Sequence, residues 1–280
     1  MKFQLKAMAA AVVLAAAVPA QAAIDLGTTG NGSLMLTVFD RAANVSLLVD
    51  LGKNYSDFSK IGTSFANSNV DAEGTFFSWD VTSGDYAQAW STFTGLTNSA
   101  NWQFAVMAND NAGNGAGARG IISTLNQPTV TAITTNPLGA QNSFFDSYIA
   151  ENTANNAVIF QNHGSELFPT GVANGASVAN TGLAYMGTYY NAGKPNAAGS
   201  VVVGNVGQSL AVYQNVSGSS AFGATASTIF ANNAAFTFTA NGLLTYTTND
   251  PVVVVPEADT WAMMLLGLGF MGFAARRKQA

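Results

Sequence analysis

In several separate stretches of this chain, apolar residues recur at every second position. That spacing puts them on one face of a β-strand and does not fit a helix. Leu34, Leu36 and Val38 alternate in this way, and after the polar stretch Arg41 to Asn44 so do Val45, Leu47, Val49 and Leu51. A four-residue loop sets Val38 against Leu47, Leu36 against Val49 and Leu34 against Leu51, so register and apolar face agree on a hairpin. Phe77, Trp79 and Val81 form a further alternation closed by Thr82-Ser83-Gly84-Asp85, and Trp102, Phe104 and Val106 another. Shorter β-rich pieces lie at Ile121 to Ser123, Thr129 to Ile133, Val201 to Val203 and Leu210 to Val216.

Phe236 and Phe238 precede Asn241-Gly242, and Leu244 and Tyr246 follow. A two-residue loop there splits the apolar residues between faces. A three-residue loop, Ala240-Asn241-Gly242, opposes Phe238 to Leu244 and Phe236 to Tyr246 and buries one clean face. Gly242 then takes the left-handed position of a G1 bulge. One segment reads as helix: Ser143 with Asp146 forms a capping box, and Phe144, Phe145, Tyr148 and Ile149 have helical spacing. Pro169 to Pro195 and Asn109 to Gly120 read as long loops. The expected fold is mostly β, a β-sandwich or jelly-roll-like domain with one peripheral helix. Its expected core holds Leu34, Leu36, Val38, Leu47, Val49, Phe77, Trp79, Phe104, Phe236, Phe238 and Tyr246.

The two ends differ from this pattern. Lys2 and Lys6 flank a charged start, Ala7 to Val18 is apolar, and Ala20-Gln21-Ala22 is an A-x-A cleavage site. This is the layout of a signal peptide cut between Ala22 and Ala23 by signal peptidase. At the other end, Trp261 to Ala275 is uncharged and Arg276-Arg277-Lys278 follows. Fifteen residues of helix span roughly 22 Å at ~1.5 Å each, against about 30 Å of hydrocarbon. The three cations reach the far interface by snorkelling, and they place the C-terminus on the cytoplasmic side. The expected organisation is therefore a signal peptide at 1–22, an exported β-rich domain at 23–250, and a linker and tail at 251–280 with a transmembrane helix at 261–275.

The tail resembles the PEP-CTERM sorting signal of Gram-negative bacteria. The resemblance rests on Val255-Pro256-Glu257, then Thr260-Trp261-Ala262-Met263-Met264-Leu265, then Gly267-Leu268-Gly269, then Phe273-Ala274-Ala275-Arg276-Arg277. It covers about 25 residues, with Ala258 standing where the family's name-giving tripeptide has a second proline. The resemblance implies recognition by an exosortase, an integral-membrane cysteine protease that cuts near the Pro-Glu motif. The implied itinerary is a transient inner-membrane anchor, then the cell surface or secretion. Such proteins belong to species that make exopolysaccharide, biofilm or floc, so exopolysaccharide is an implied partner. Pro256, Glu257, Thr260, Trp261, Arg276 and Arg277 are the residues that match the motif.

Between Ala23 and Val255, five cations face thirteen acids, a net charge of −8 on 233 residues. A surface of that sign argues against nucleic acid and anionic lipid as partners. With no cysteine in the chain, disulfides, thiolate metal sites and a cysteine nucleophile are excluded. No cofactor is implied.

Few residues offer chemistry. Gly115-Ala116-Gly117-Ala118-Arg119-Gly120 matches G-x-G-x-x-G, but Ile121 to Leu125 after it reads as a strand, so the segment is a loop rather than a nucleotide cradle. His163 is the single histidine, and no G-x-S-x-G or H-E-x-x-H accompanies it. Asn109, Asp110 and Asn111, with Asn114, are weak oxygen-ligand candidates for calcium and depart from the EF-hand spacing. Asp80 with Asp85, or Asp71 with Glu73, is a conceivable acid pair for glycoside hydrolysis. Trp79 and Trp102 fall in core alternations, leaving Trp90 as the exposed candidate for stacking on a sugar ring. The reading is a non-enzymatic exported surface or matrix protein. The alternatives are a carbohydrate-active enzyme and a sugar- or calcium-binding module.

Overall fold

The computed structural model describes residues 24–126, 138–153, 158–162, 175–190, 202–218 and 226–249. The expected pieces at Thr129 to Ile133, the signal peptide and the whole tail, with its helix at 261–275, lie outside these residues. Among the described residues, no helix is long and apolar enough to cross a membrane.

The described chain is mostly β. Its strands are β1 (Ser33–Asp40), β2 (Val45–Asn54), β3 (Phe76–Asp80), β4 (Trp102–Asp110), β5 (Gly120–Leu125) and β6 (Val158–Asn162). They continue with β7 (Ala176–Ala179), β8 (Gly204–Asn205), β9 (Ser209–Val216), β10 (Ala226–Ile229), β11 (Ala235–Phe238) and β12 (Leu243–Thr247). All pairings are antiparallel, in the order β3-β12-β11-β9-β5-β4-β1-β2-β7-β6, with β10 beside β9 and β8 beside β4. The expected sandwich is thus one continuous sheet that curls. Phe236, Phe238, Leu244 and Tyr246 from one end share a core with Leu34, Leu36, Val38, Leu47 and Val49 from the middle. Sheet twist accumulates over so many strands and lets the two regions face each other without a break in the hydrogen bonding.

The two hairpin registers follow the alternation. Val38 opposes Leu47 and Leu36 opposes Val49. Asp40 closes that turn, its Oδ1 accepting from the N–H groups of Ala42 (2.8 Å) and Ala43 (3.1 Å). The expected Leu34–Leu51 pair does not form. β2 bulges there, so Met35 faces Asp50 while Ser33 faces Asn54, and Gly52 supplies the left-handed φ of +64°. In the last hairpin Phe236 opposes Tyr246 and Phe238 opposes Leu244, with Gly242 at φ +82°.

Among the described residues, four α-helices accompany the sheet, besides short 3-10 turns: α1 (Tyr55–Phe58), α2 (Ala87–Leu96), α3 (Leu138–Thr153) and α4 (Met186–Tyr190). The single peripheral helix of the sequence reading is therefore corrected. The expected segment lies inside α3, which starts at Leu138, so Ser143 is an exposed mid-helix residue and caps nothing. α3 covers the outer face of the central strands. Met35, Phe39, Leu48, Ala105, Met107 and Ile121 meet Phe144, Phe145, Tyr148 and Ile149 in a second core, where the Tyr148 and Thr37 hydroxyls lie 2.8 Å apart. That is why β1 is buried on both faces. α2 closes the first core with Ala89 and Phe93. The stretch read as a long loop from Pro169 contains β7, which pairs with β2. Phe77 and Trp79 are half-buried against the first core, and the other expected core residues are fully buried.

Buried polar groups fasten the loop after α1. Gln214 on β9 is fully buried; its Oε1 accepts from the N–H groups of Lys60 (2.7 Å) and Ile61 (3.0 Å). Its Nε2 shares its protons among the Tyr55 hydroxyl (2.6 Å), the Ser59 hydroxyl (2.9 Å) and the Ile61 carbonyl (2.8 Å). Gln214→Leu strands two backbone donors at ~1–3 kcal/mol each. We expect a loss of about 2–5 kcal/mol in urea unfolding. A change within ~0.5 kcal/mol, the range of a neutral surface substitution, would show that the network carries no stability.

Candidate functional site

The outer face of the β3-β12-β11-β9 region carries exposed Ser78, Ser209 and Thr247 and half-buried Thr237 and Thr245, whereas α3 covers the central strands. In register across it stand Ser78, Thr245, Thr237 and Ser209, one hydroxyl per strand. With strands ~4.8 Å apart, the row is roughly 14 Å long. The Ser209 and Thr237 hydroxyls are 2.7 Å apart, and the Thr245 hydroxyl donates to the Thr237 carbonyl at 3.4 Å. The neighbouring row runs Phe76, Thr247, Ala235, Ala211, and on the other side Asp80 faces Leu243. Phe76 is 61% exposed. Asp80 is the one charged group in these rows. Its carboxylate is held below the usual range by the Thr82 hydroxyl and N–H and by the Ser83 hydroxyl. The local signal for this face was present, since Phe236-Thr237-Phe238 and Leu244-Thr245-Tyr246 put hydroxyls opposite apolar residues.

Trp90 is not the open platform the sequence suggested. It sits on α2, half-buried, with its ring 5.3 Å from Trp102 and 6.1 Å from Phe238, both edge-on. A Cβ on Gly242 would meet it at 3.1 Å, so it is wedged beneath the β11–β12 turn. Trp102 is buried, as its alternation requires.

Asn109 and Asp110 end β4 and are buried, with Asn111 just beyond. Their amides act as donors: Asn109 Nδ2 reaches Asp146 Oδ1 at 2.9 Å and Asn142 Oδ1 at 3.2 Å, and Asn111 Nδ2 reaches Asp146 Oδ2 at 2.5 Å. Arg119 Nη1 donates to Asn111 Oδ1 at 3.2 Å, so a guanidinium already meets the oxygen a cation would need. Burial raises the Asp110 carboxyl above the usual range, against the opposing pull of the Ala112 N–H and Arg119. Asp146, read in the sequence as part of a cap, instead ties α3 to β4. Among the described residues, no three His, Asp or Glu side chains are placed to share a metal ion.

The remaining candidates are scattered. Asp85 and Glu73 are exposed, and Asp71 forms an ion pair with Lys60 at 2.5 Å. Gly115 to Arg119 is a loop leading into β5, as its context required. His163 lies outside the described residues. One titratable group that sequence reasoning missed is Asp50, buried on β2 and pushed up to about 7. Loss of hydration is the main cause and nearby Asp25 adds to it, while the Gly52 N–H and the Ser33 hydroxyl oppose the shift. The Gly52 N–H reaches Asp50 Oδ1 at 2.8 Å and the Ser33 hydroxyl reaches Oδ2 at 3.2 Å.

These observations define a β-rich domain followed, after Asn249, by a stretch of different character. Residues 254–278 match the PEP-CTERM protein-sorting motif, so the chain is a PEP-CTERM sorting-signal protein. That motif marks an exported protein processed by exosortase, a membrane protein. Comparisons with curated proteins and with solved structures give no significant match.

Proposed function

We propose that the exported domain is a non-enzymatic cell-surface or extracellular-matrix protein that contacts neutral exopolysaccharide through its hydroxyl row. The tail helix holds it briefly in the inner membrane before exosortase releases it to the surface. The observation that carries this reading is the uncharged row Ser78–Thr245–Thr237–Ser209, exposed at both ends, on a protein bearing a sorting tail. Serine and threonine hydroxyls both donate and accept, which suits a polymer whose own groups are hydroxyls. Phe76 and Leu243 at the margins offer apolar surface to the C–H faces of sugar rings. With no cation in the row, binding releases no counterions and is expected to be insensitive to salt.

A glycan-array screen of residues 23–255, run with a polysaccharide-hydrolysis assay, tests this. Ser78→Ala with Thr237→Val and Thr245→Val removes three hydroxyls, and valine keeps a strand-forming residue at both threonine positions. It should lower binding at least tenfold with an unchanged melting temperature. Undiminished binding by that variant would remove the face from consideration. Release of sugar by the wild type would favour a carbohydrate-active enzyme.

A further inference from the structure

Four asparagines stand directly before a glycine: Asn31, Asn114, Asn174 and Asn241. With no Cβ on the glycine, its backbone nitrogen can approach the preceding side-chain amide unhindered. Asn174 lies outside the described residues, and the fold treats the other three differently. Asn31 Oδ1 accepts from the Ser56 N–H at 2.7 Å, and the Gly32 N–H donates to the Asn109 carbonyl at 2.9 Å. Asn241 Oδ1 accepts from the Thr239 hydroxyl, and the Gly242 N–H donates to the Thr239 carbonyl at 3.0 Å. At both places the amide and the nitrogen that would attack it are already engaged. Asn114 is exposed in the loop before β5, and among the described residues the Gly115 N–H meets no acceptor. A Cβ on Gly115 would touch nothing within 4 Å, so the space around it is open. The Asn114 side-chain oxygen faces a cation. Arg119 Nη2 donates to Asn114 Oδ1 at 3.3 Å, while its Nε is fixed on the Gly113 carbonyl at 2.7 Å and its Nη1 on Asn111 Oδ1 at 3.2 Å.

We propose that Asn114 is a self-modification site, at which the folded protein converts its own asparagine to aspartate and isoaspartate with the help of Arg119. The Gly115 nitrogen gives up its proton and bonds to Asn114 Cγ, closing a five-membered ring. The bond from Cγ to the side-chain nitrogen breaks, and that nitrogen leaves as ammonia, carrying the proton. Water then opens the succinimide at either carbonyl. The balance is amide plus water to carboxylate plus ammonium, and nothing else is consumed. During the attack negative charge collects on Asn114 Oδ1, the atom that the Arg119 guanidinium already meets. A fixed donor at the place where charge develops lowers the barrier. The product carboxylate keeps that partner and binds it more strongly than the neutral amide did. Asn31 and Asn114 both lie in Gly-Asn-Gly, so local sequence does not separate them. The fold does, by engaging the Gly32 N–H and leaving that of Gly115 open.

The test holds the folded full-length protein in detergent at mildly alkaline pH, with a second sample in urea. Peptide mapping by tandem mass spectrometry assigns each gained acid to one asparagine over time. In the folded chain Asn114 should react at least about tenfold faster than Asn31 or Asn241, each of which must first release two hydrogen bonds. In urea the three rates should draw together. Arg119→Gln should slow Asn114 several-fold in the folded chain, leave Asn31 and Asn241 unchanged, and have no effect in urea. Asn31 or Asn241 keeping pace with Asn114 in the fold would overturn the site. The same gap persisting in urea would trace the selectivity to local sequence and overturn the structural argument. An equal or faster Asn114 rate in folded Arg119→Gln would overturn the part given to the guanidinium.

Discussion

Glu257→Gln, or deletion of Arg276 to Lys278, is expected to abolish surface release while leaving export intact. The two changes act on different physics. Glu257 is the acid of the Pro-Glu element within the matched motif at 254–278, and glutamine keeps its size while removing its charge. A membrane protease that reads this carboxylate loses a charge-assisted contact. Truncating one partner of such a contact costs several kcal/mol when the site is desolvated, and a few kcal/mol is hundreds-fold in rate. The cations act on topology. Each is worth ~1 kcal/mol near anionic lipid, and they follow a run of fifteen uncharged residues that, if helical, would be short for the bilayer. Without them the tail is carried through. The glutamine precursor should accumulate uncut in the inner membrane, and the truncated one should be exported uncut. Fractionation with mass analysis of the C-terminus distinguishes them. Equal amounts of trimmed surface protein from all three chains would show that the tail is not read in this way.

The sorting tail was legible because its signal is local and ordered: Pro256-Glu257, Trp261, an apolar run and three cations, all within 25 residues. The hairpins were legible for a related reason. A strand with one wet face must alternate, and at Phe236–Tyr246 only one loop length keeps the alternation coherent. Where a strand is buried on both faces, the alternation disappears. β7, Ala176–Ala179, is short, small and covered on both sides, and it was read as loop. α2 was missed although Tyr86, Ala89, Trp90 and Phe93 have helical spacing. Reading that stripe would have placed Trp90 beside the core instead of in solvent. The hydroxyl row was hidden for a different reason. Thr237 and Thr245 are paired by a local turn, but Ser78 joins them through β3–β12 and Ser209 through β9–β11. Those pairings have long sequence separations and no local cue. Whether β12 ends the sheet or is followed by β3 is decided by the curl, through Phe58 packing against Phe77, Phe236 and Tyr246 at 5.3–6.0 Å between ring centres.

Asp50 is expected to make the domain less stable as pH rises from about 4 to about 7. Its carboxyl has an ordinary value of 3.8 in the unfolded chain and is raised to about 7 in the fold. The folded state therefore holds a proton through a range where the unfolded state has lost it. The stabilisation is complete below the unfolded value and is lost as pH climbs through the folded one. A shift of this size corresponds to about 4 kcal/mol. At ~2–4 °C per kcal/mol for a domain of this length, the melting temperature should fall by on the order of 10 °C across the window from this group alone. The physical source is the side chain's position. Asp50 is 3% exposed, and its two short contacts, from the Gly52 N–H and the Ser33 hydroxyl, replace water only in part. The charge of Asp25 acts on it with the same sign and adds a smaller push in the same direction. An asparagine in place of the acid keeps an acceptor for the Gly52 N–H and never ionises, so Asp50→Asn should flatten the profile. Above pH 7 the variant should be the more stable chain by a few kcal/mol, and below pH 4 the two should converge. Thermal unfolding of both chains at a series of pH values separates this group from every other titration, because all others are common to the pair. Parallel curves, with the variant no more stable at pH 8 than at pH 4 relative to wild type, would mean that Asp50 is solvated and charged in the folded protein.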